Sequence, residues 1–279
     1  MCIRDSTYEL PAEHAPVLAV TGSPAHVIGA AEIVAGQYST LRDLESAFHG
    51  DGGIEYVRFP DTVKHGIERF FSTAYTHHLA DVWFPAVDGL IAKLSDGARV
   101  ADIGCGHGAA TLLMAQLWPK STYVGFDFDD ASINVARSRA VDAGVQANIS
   151  FHVGDAAGSG PGPFDVVTFF DALHDLGDPR AALDRAYDLL TPGGILVAVE
   201  PWSTDRLEDS IDNPIARIGS AISTSMCTPT SLAQPGAYGL GTCGGPTRRL
   251  ALLSAAGFHD AHVAADNGQN LVITARVGT

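Results

Sequence analysis

Basic residues are scarce in this chain. Seventeen Lys and Arg stand against 32 Asp and Glu, leaving a formal charge of −15 over 279 residues. A surface of that sign is unsuited to neutralising phosphates, and the nearest thing to a basic cluster is the pair Arg248-Arg249, so nucleic acid is not an expected partner. Anionic membranes are disfavoured for the same reason. Cysteine is scarce too: Cys2, Cys105, Cys227 and Cys243 form no CxxC and no Cys/His zinc pattern, which fits a reduced, cytoplasmic protein. No apolar run reaches the length of a membrane-spanning helix. Residues 1–16 carry Arg4, Asp5, Glu9, Glu13 and two prolines before any apolar run, unlike a signal peptide. A secreted disulfide scaffold, a membrane span and a DNA-reading module are thereby set aside. Apolar residues make up 46% of the chain, enough for one large core.

Three zones follow in order. Residues 8–95 read as mostly helical, with a break at Gly50-Asp51-Gly52-Gly53 and a short aromatic loop, IEYVRFP, after it. From 98 to 200, strand-like runs such as RVADIG, TYVGFD, ISFHVGD, FDVVTFF and GGILVAVE alternate with helical ones, which calls for a doubly wound parallel sheet. Pro179 marks a helix start after Asp178, and TPGG at 191–194 reads as a stop and turn before the next strand. The third zone holds a helix opening at Asn213-Pro214, with Ile211, Ile215, Ile218, Ile222 and Met226 on one apolar face. It ends in a helix closed by Gly257 and two strands joined near Asn267-Gly268.

The chemistry concentrates in VADIGCGHGAAT at 100–111. A buried strand ends in Asp102, then Gly104, Gly106 and Gly108 let the backbone turn and approach a ligand, and a helix N-terminus follows. Alone, the loop also satisfies a dinucleotide fingerprint. Acidic neighbours redirect the reading. Asp102 sits where a pyrophosphate would be repelled and an ammonium welcomed; Asp127 ends the next strand, placed for ribose hydroxyls. Asp155 ends the third, within reach of an adenine amino group. Ammonium, ribose and adenine without phosphate describe S-adenosylmethionine.

On these residues the chain resembles the class I S-adenosylmethionine-dependent methyltransferases, from about residue 82 to 276. The resemblance implies an α/β, Rossmann-like, doubly wound seven-stranded sheet of order 3-2-1-4-5-7-6 with strand 7 antiparallel. It places the glycine loop, with Cys105, under the methionine part of the cofactor, Phe128 beside the adenine, and Asp155 with Ala156 at the adenine edge. Phe170 joins the cofactor set. A narrower likeness, through FDALHDLGDP at 170–179 and EPWSTDRLED…STSMCTPTSLAQ at 200–234, is to bacterial methyltransferases that carry an N-terminal winged helix. In that comparison TYELPAEHA resembles the junction, MCIRDS attaches to no recognisable element, and the chain reads as entering after most of the winged helix. The expected division is a helical cap or linker at 1–80 and a methyltransferase domain at 81–279, whose insertion at 201–247 helps form the acceptor pocket.

His174 is the candidate for chemistry. With Asp175 it resembles the His-Asp pair of small-molecule O-methyltransferases, in which the histidine deprotonates the acceptor hydroxyl. Alignment and desolvation alone are the alternative. Tyr56 and Phe59 read either as a lid, with Tyr56 near the sulfonium, or as docking contacts of the cap. Glu200 belongs to the acceptor side. His65, Glu68, His77 and His78 match no standard ligand spacing, so no metal is expected. The expected activity is methyl transfer from S-adenosylmethionine to a small-molecule acceptor, most readily at oxygen. The partners are that acceptor and, through the cap, a second copy in a homodimer. The rival readings are a cofactor-sensing regulatory module without turnover and an NAD(P)-dependent oxidoreductase.

Overall fold

Strand and helix alternate from residue 99, and the strands assemble into one sheet. In chain order they are β1 (Arg99–Ile103), β2 (Thr122–Asp127), β3 (Ile149–Val153), β4 (Phe164–Phe170), β5 (Leu190–Pro201), β6 (His259–Asp266) and β7 (Asn270–Arg276). The computed structural model describes residues 2–4, 7–50, 52–158, 160 and 162–278, so Asp51 of the glycine-rich break lies outside the described residues. The seven strands run in the order 3-2-1-4-5-7-6. β1 to β5 are mutually parallel, and β7 is antiparallel to both β5 and β6, as the resemblance implies.

The α-helices of five residues or more among the described residues are α1 (Ile28–Gln37), α2 (Leu41–Phe48), α3 (Asp61–His78), α4 (Leu90–Asp96), α5 (Ala109–Leu117), α6 (Asp130–Asp142), α7 (Pro179–Leu189), α8 (Pro214–Ile222), α9 (Thr228–Leu232) and α10 (Gly245–Ala255). Several starts follow from capping chemistry. Asp129 accepts from Ser132 N, Asp178 from Ala181 N, and Asn213 from Ile215 N and Ala216 N, the last two ahead of a proline whose missing N–H costs nothing there. None of these helices is long and apolar enough to cross a membrane.

Both faces of the sheet are covered, and side chains alternate between two cores. On β4, Val166 and Phe170 enter one core while Val167 and Phe169 enter the other; on β5, Ile195, Val197 and Val199 oppose Leu196 and Ala198. TPGG, expected as a stop before the fifth strand, instead lies inside β5. Gly193 takes φ +71°, and the pairing of β5 with β4 shifts register between Phe164 and Val166. The turn chemistry is thus absorbed as an irregularity within a paired strand.

In the cap, α1 and α3 approach so closely that a Cβ on Gly29 would lie 2.5 Å from the Gly66 carbonyl oxygen. The C-terminal part of α3 and the π turn after it (Leu79–Trp83) enter the main core through Tyr75, Leu79 and Trp83. A third cluster, of Ile54, Phe59, Val63, Met226 and Cys227, joins the cap to the insertion. The apolar stripe of the insertion divides. Ile211 and Ile218 are 59% and 53% exposed, whereas Met226 is buried against the cap. The π turn at Ser223–Cys227 after α8 widens the helix and turns its face, so the stripe does not continue inward as one surface. At the start of the chain, Cys2–Arg4 pairs antiparallel with Thr7–Glu9, giving part of MCIRDS a local partner that the sequence did not suggest.

Candidate cofactor and acceptor site

The glycine loop leaves β1 at its C-terminal end. Gly104, Gly106 and Gly108 have φ of +74°, +52° and +78°, a region that side chains with a Cβ rarely enter. Their surroundings differ. A Cβ on Gly104 would meet Ala172 Cβ at 2.5 Å, and one on Gly108 would meet the Phe151 ring at 2.7 Å. At Gly106 nothing lies within 4 Å, so this is the residue of the loop that faces open space. Cys105 is half-buried beside it.

Asp127 ties this loop to the end of β2. Its Oδ2 accepts from Gly106 N at 2.8 Å and its Oδ1 from Asp129 N at 2.9 Å. Burial raises its affinity for a proton, against the pull of these two N–H groups. Asp102 is placed differently. Its Oδ1 accepts from Thr168 Oγ1 at 2.9 Å and its Oδ2 from Thr111 Oγ1 at 2.5 Å, so the carboxyl fastens β1 to β4 and α5. It is wholly buried, which pushes it up to about 6. Phe128 is 48% exposed and meets Tyr56 edge-on at 5.7 Å between ring centroids. Asp155 is exposed and accepts from Ala157 N at 3.1 Å, with Ala156 opening a short turn after it. Phe170 is buried, its ring 5.4 Å from Tyr75 and 6.3 Å from Phe84.

The cap reaches the same edge. Lys64 Nζ lies 3.1 Å from Asp129 Oδ2 and 5.0 Å from the centre of the Tyr56 ring. Burial, and then Asp127, Asp175 and Asp129, raise the Tyr56 phenol, so it stays protonated amid these carboxylates. Phe59 is buried in the cap–insertion cluster. Glu68 binds Arg139 through both oxygens and His107 Nδ1 at 3.1 Å. His77 Nε2 lies 2.9 Å from the Gly22 carbonyl, and His78 packs near Trp83.

Beyond β4, His174 is 3% exposed and held on both ring nitrogens. Nδ1 lies 2.9 Å from Glu200 Oε2, and Nε2 lies 3.2 Å from Asp175 Oδ1. Burial favours the neutral ring, but Asp175 and Glu200 outweigh it and hold the imidazole well above its ordinary value. Glu200 is wholly buried; burial pushes it up, while His174, Arg249 and Leu173 N–H outweigh that and keep it ionised. A carboxylate only accepts, so Nδ1 carries a proton.

Four contributors went unmarked in the sequence. Asp171, at φ +50°, accepts from Tyr75 Oη at 2.8 Å. Cys227 is buried beside His174 and Asp175, one ligand-type atom of each lying within 4.8 Å of the others. Arg249 is wholly buried, donating to Thr242 O and Ser203 Oγ. Tyr75, the donor to Asp171, lies in the cap helix α3. Contacts between distant segments placed all four, and no local pattern announces such contacts.

Residues 94–228 match the model of a methyltransferase domain. A ubiquinone biosynthesis O-methyltransferase from Xanthomonas euvesicatoria pv. vesicatoria is 39% identical over 101 residues, 36% of this chain and 41% of that protein. Its counterpart from Xylella fastidiosa (strain 9a5c) is 34% identical over 101 residues, 36% and 40% of the two chains. The chain therefore spans well under half the length of the curated relatives it matches. Two solved structures share the fold. An O-methyltransferase family protein from Burkholderia thailandensis aligns with TM-score 0.69 at 16% identity, covering 99% of this chain and 79% of that one. Human N-acetylserotonin methyltransferase, solved with S-adenosylmethionine, aligns with TM-score 0.68 at 19% identity, covering 96% and 75%. Residues 94–228 thus match a methyltransferase domain, and the strand order and glycine loop are those that the resemblance to the class I S-adenosylmethionine-dependent methyltransferases implies.

Proposed function

We propose that this chain moves the methyl group of S-adenosylmethionine to a hydroxyl oxygen of a small-molecule acceptor. The observation that carries the reading is the pairing of Gly106 and Asp127: an open backbone position at the end of β1, bonded at 2.8 Å to the acid that ends β2. The residues suit that cofactor. Asp127 takes ribose hydroxyls, Asp155 the adenine edge, and the loop the methionine portion, while the acids at the strand ends oppose a pyrophosphate. When bound, the cofactor supplies an electrophilic methyl group on a cationic sulfur.

The acceptor's proton goes to the Asp175–His174–Glu200 chain. Asp175, with 26% of its side chain exposed, is the member nearest solvent, and buried Glu200 acts only through the imidazole. The relatives named as O-methyltransferases support oxygen as the attacked atom. The reading also carries a cytoplasmic setting and a homodimer formed over the cap, where Tyr38 and Phe48 are exposed.

Calorimetry with S-adenosylmethionine, S-adenosylhomocysteine and NAD tests the cofactor. Binding of the first two and not the third is expected; no heat from either sulfur compound overturns the proposal. Binding without methyl transfer to any of a panel of phenols and catechols would turn the reading towards a cofactor sensor.

A further inference from the structure

The turn after β4 and the π turn after α8 bring three side chains of metal-ligating type together in the interior. We infer that His174 Nε2, Asp175 and Cys227 Sγ form a binding site for a single divalent ion of the zinc class. One ligand atom from each residue lies within 4.8 Å of the others. Two ligands bound at about 2.0–2.1 Å in tetrahedral geometry stand roughly 3.3 Å apart. The observed separation of His174 Nε2 and Asp175 Oδ1 is 3.2 Å. That pair already has the spacing an ion requires, and Cys227 closes the set by a small side-chain adjustment.

Three further features fit a metal better than a private hydrogen-bond network. Asp175 Oδ1 is buried and has no hydrogen-bond partner, although Nε2 is so near; the two atoms stand side by side rather than donor to acceptor. The other ring nitrogen of His174 is tied at 2.9 Å to Glu200, the carboxylate–histidine arrangement that orients a metal-bound imidazole and leaves Nε2 for the ion. Formal charge also balances. A thiolate and a carboxylate match a dication, and Glu200 has its own counter-charge in Arg249, with Nε 3.7 Å from Oε2. Cys227 sits in a π turn, a local widening that recurs at functional sites, and it is buried beneath the cap.

Another triplet of candidate ligands among the described residues, His65, Glu68 and His107, is weaker: both oxygens of Glu68 are engaged by Arg139. Three protein ligands leave a fourth tetrahedral position for solvent or an acceptor oxygen. The site stands on these ligands alone. An ion here would take up the His174 and Asp175 lone pairs that receive the acceptor's proton in the reading above, but it lies apart from the Gly106–Asp127 pairing, and the test reads metal and not turnover.

The full-length chain, stripped with a chelator and dialysed, is titrated with Co(II) alone and then with Zn(II) alone. The expected result is one equivalent of Co(II), a thiolate-to-cobalt absorption band, and displacement by Zn(II). Cys227→Ser should abolish the band while circular dichroism stays native. If that variant does not fold, Asp175→Asn serves in its place and should weaken Co(II) binding by about tenfold or more. Cys243→Ser, at an exposed cysteine, and His65→Gln, in the other triplet, should bind as wild type does. Absence of stoichiometric binding, a band that survives Cys227→Ser, wild-type affinity in Asp175→Asn, or loss of binding in His65→Gln or Cys243→Ser overturns the site.

Discussion

The Tyr75 hydroxyl donates to Asp171 Oδ2 at 2.8 Å, tying the cap helix α3 to the first residue beyond β4. Asp171 holds this bond from a left-handed backbone, φ +50°, with its other oxygen buried and unpartnered. Burial, and then the charge of Glu200, push its carboxyl up to about 8. In an unfolded chain the same group titrates near 3.9. The folded state therefore binds this proton more tightly, and the linked stability is full below about pH 4 and lost as pH rises through about 8. Asp171→Asn keeps an acceptor for Tyr75, suits the left-handed backbone and cannot ionise. Its melting temperature, relative to wild type, should rise steadily between about pH 5 and pH 8.5. A constant difference across that range would show that Asp171 does not carry the proton.

Glu68 carries the opposite dependence. Burial raises its carboxyl, but His107 and Arg139 outweigh that and hold it at about 2. The stability it confers is present above its unfolded value, near 4.3, and is lost as pH falls towards 2. The side chain is only 20% exposed, and it links α3 to α6 and to the glycine loop. Glu68→Gln should cost about 1.5–3 kcal/mol at neutral pH, the range of hydrogen bonds to charged groups. Urea titrations at pH 7 and pH 3 should show the gap between wild type and variant shrinking in acid.

Much of this arrangement was legible before any coordinates. The alternation of strand and helix, and the placing of the glycine loop and Asp127 at successive strand ends, follow from patterns local to each strand end, while the strand order came from the family resemblance. Asp102 shows the limit. Its place at the end of β1 was readable, but its bonding to Thr111 and Thr168 depends on which residues of α5 and β4 stand opposite, and no spacing in the sequence reports that. Cys227 shows the same limit more sharply: it meets His174 across 53 positions, through a π turn that helical periodicity does not anticipate. TPGG misled because a turn-forming tetrapeptide can be carried within a strand as an irregularity: pairing with β4 stops at Leu190 and resumes at Ile195.

Asp127 offers the most direct check on the cofactor reading. Asp127→Asn retains one acceptor for the N–H groups of Gly106 and Asp129, so the loop should keep its course. The lost charge should lower affinity for S-adenosylmethionine and S-adenosylhomocysteine alike, by about 10- to 100-fold, the worth of a charge-assisted hydrogen bond. Calorimetry on the variant measures both. Unaltered affinity would take Asp127 out of the cofactor site.

Tyr56 is expected to separate the two cofactor forms. Its ring packs against Phe128 and lies among Asp127, Asp129 and Asp175, and its face already attracts the Lys64 ammonium at 5.0 Å. A sulfonium near that face gains about 0.5–2 kcal/mol that a neutral thioether does not. Tyr56→Leu preserves apolar bulk and removes the ring. Affinity for S-adenosylmethionine should then fall about 2- to 30-fold, while affinity for S-adenosylhomocysteine changes little. The ratio of the two dissociation constants is the quantity to measure, since a collapse of the cap would weaken both equally. Equal losses would make Tyr56 a docking contact of the cap, in the manner of Phe59, and leave the sulfonium to other neighbours.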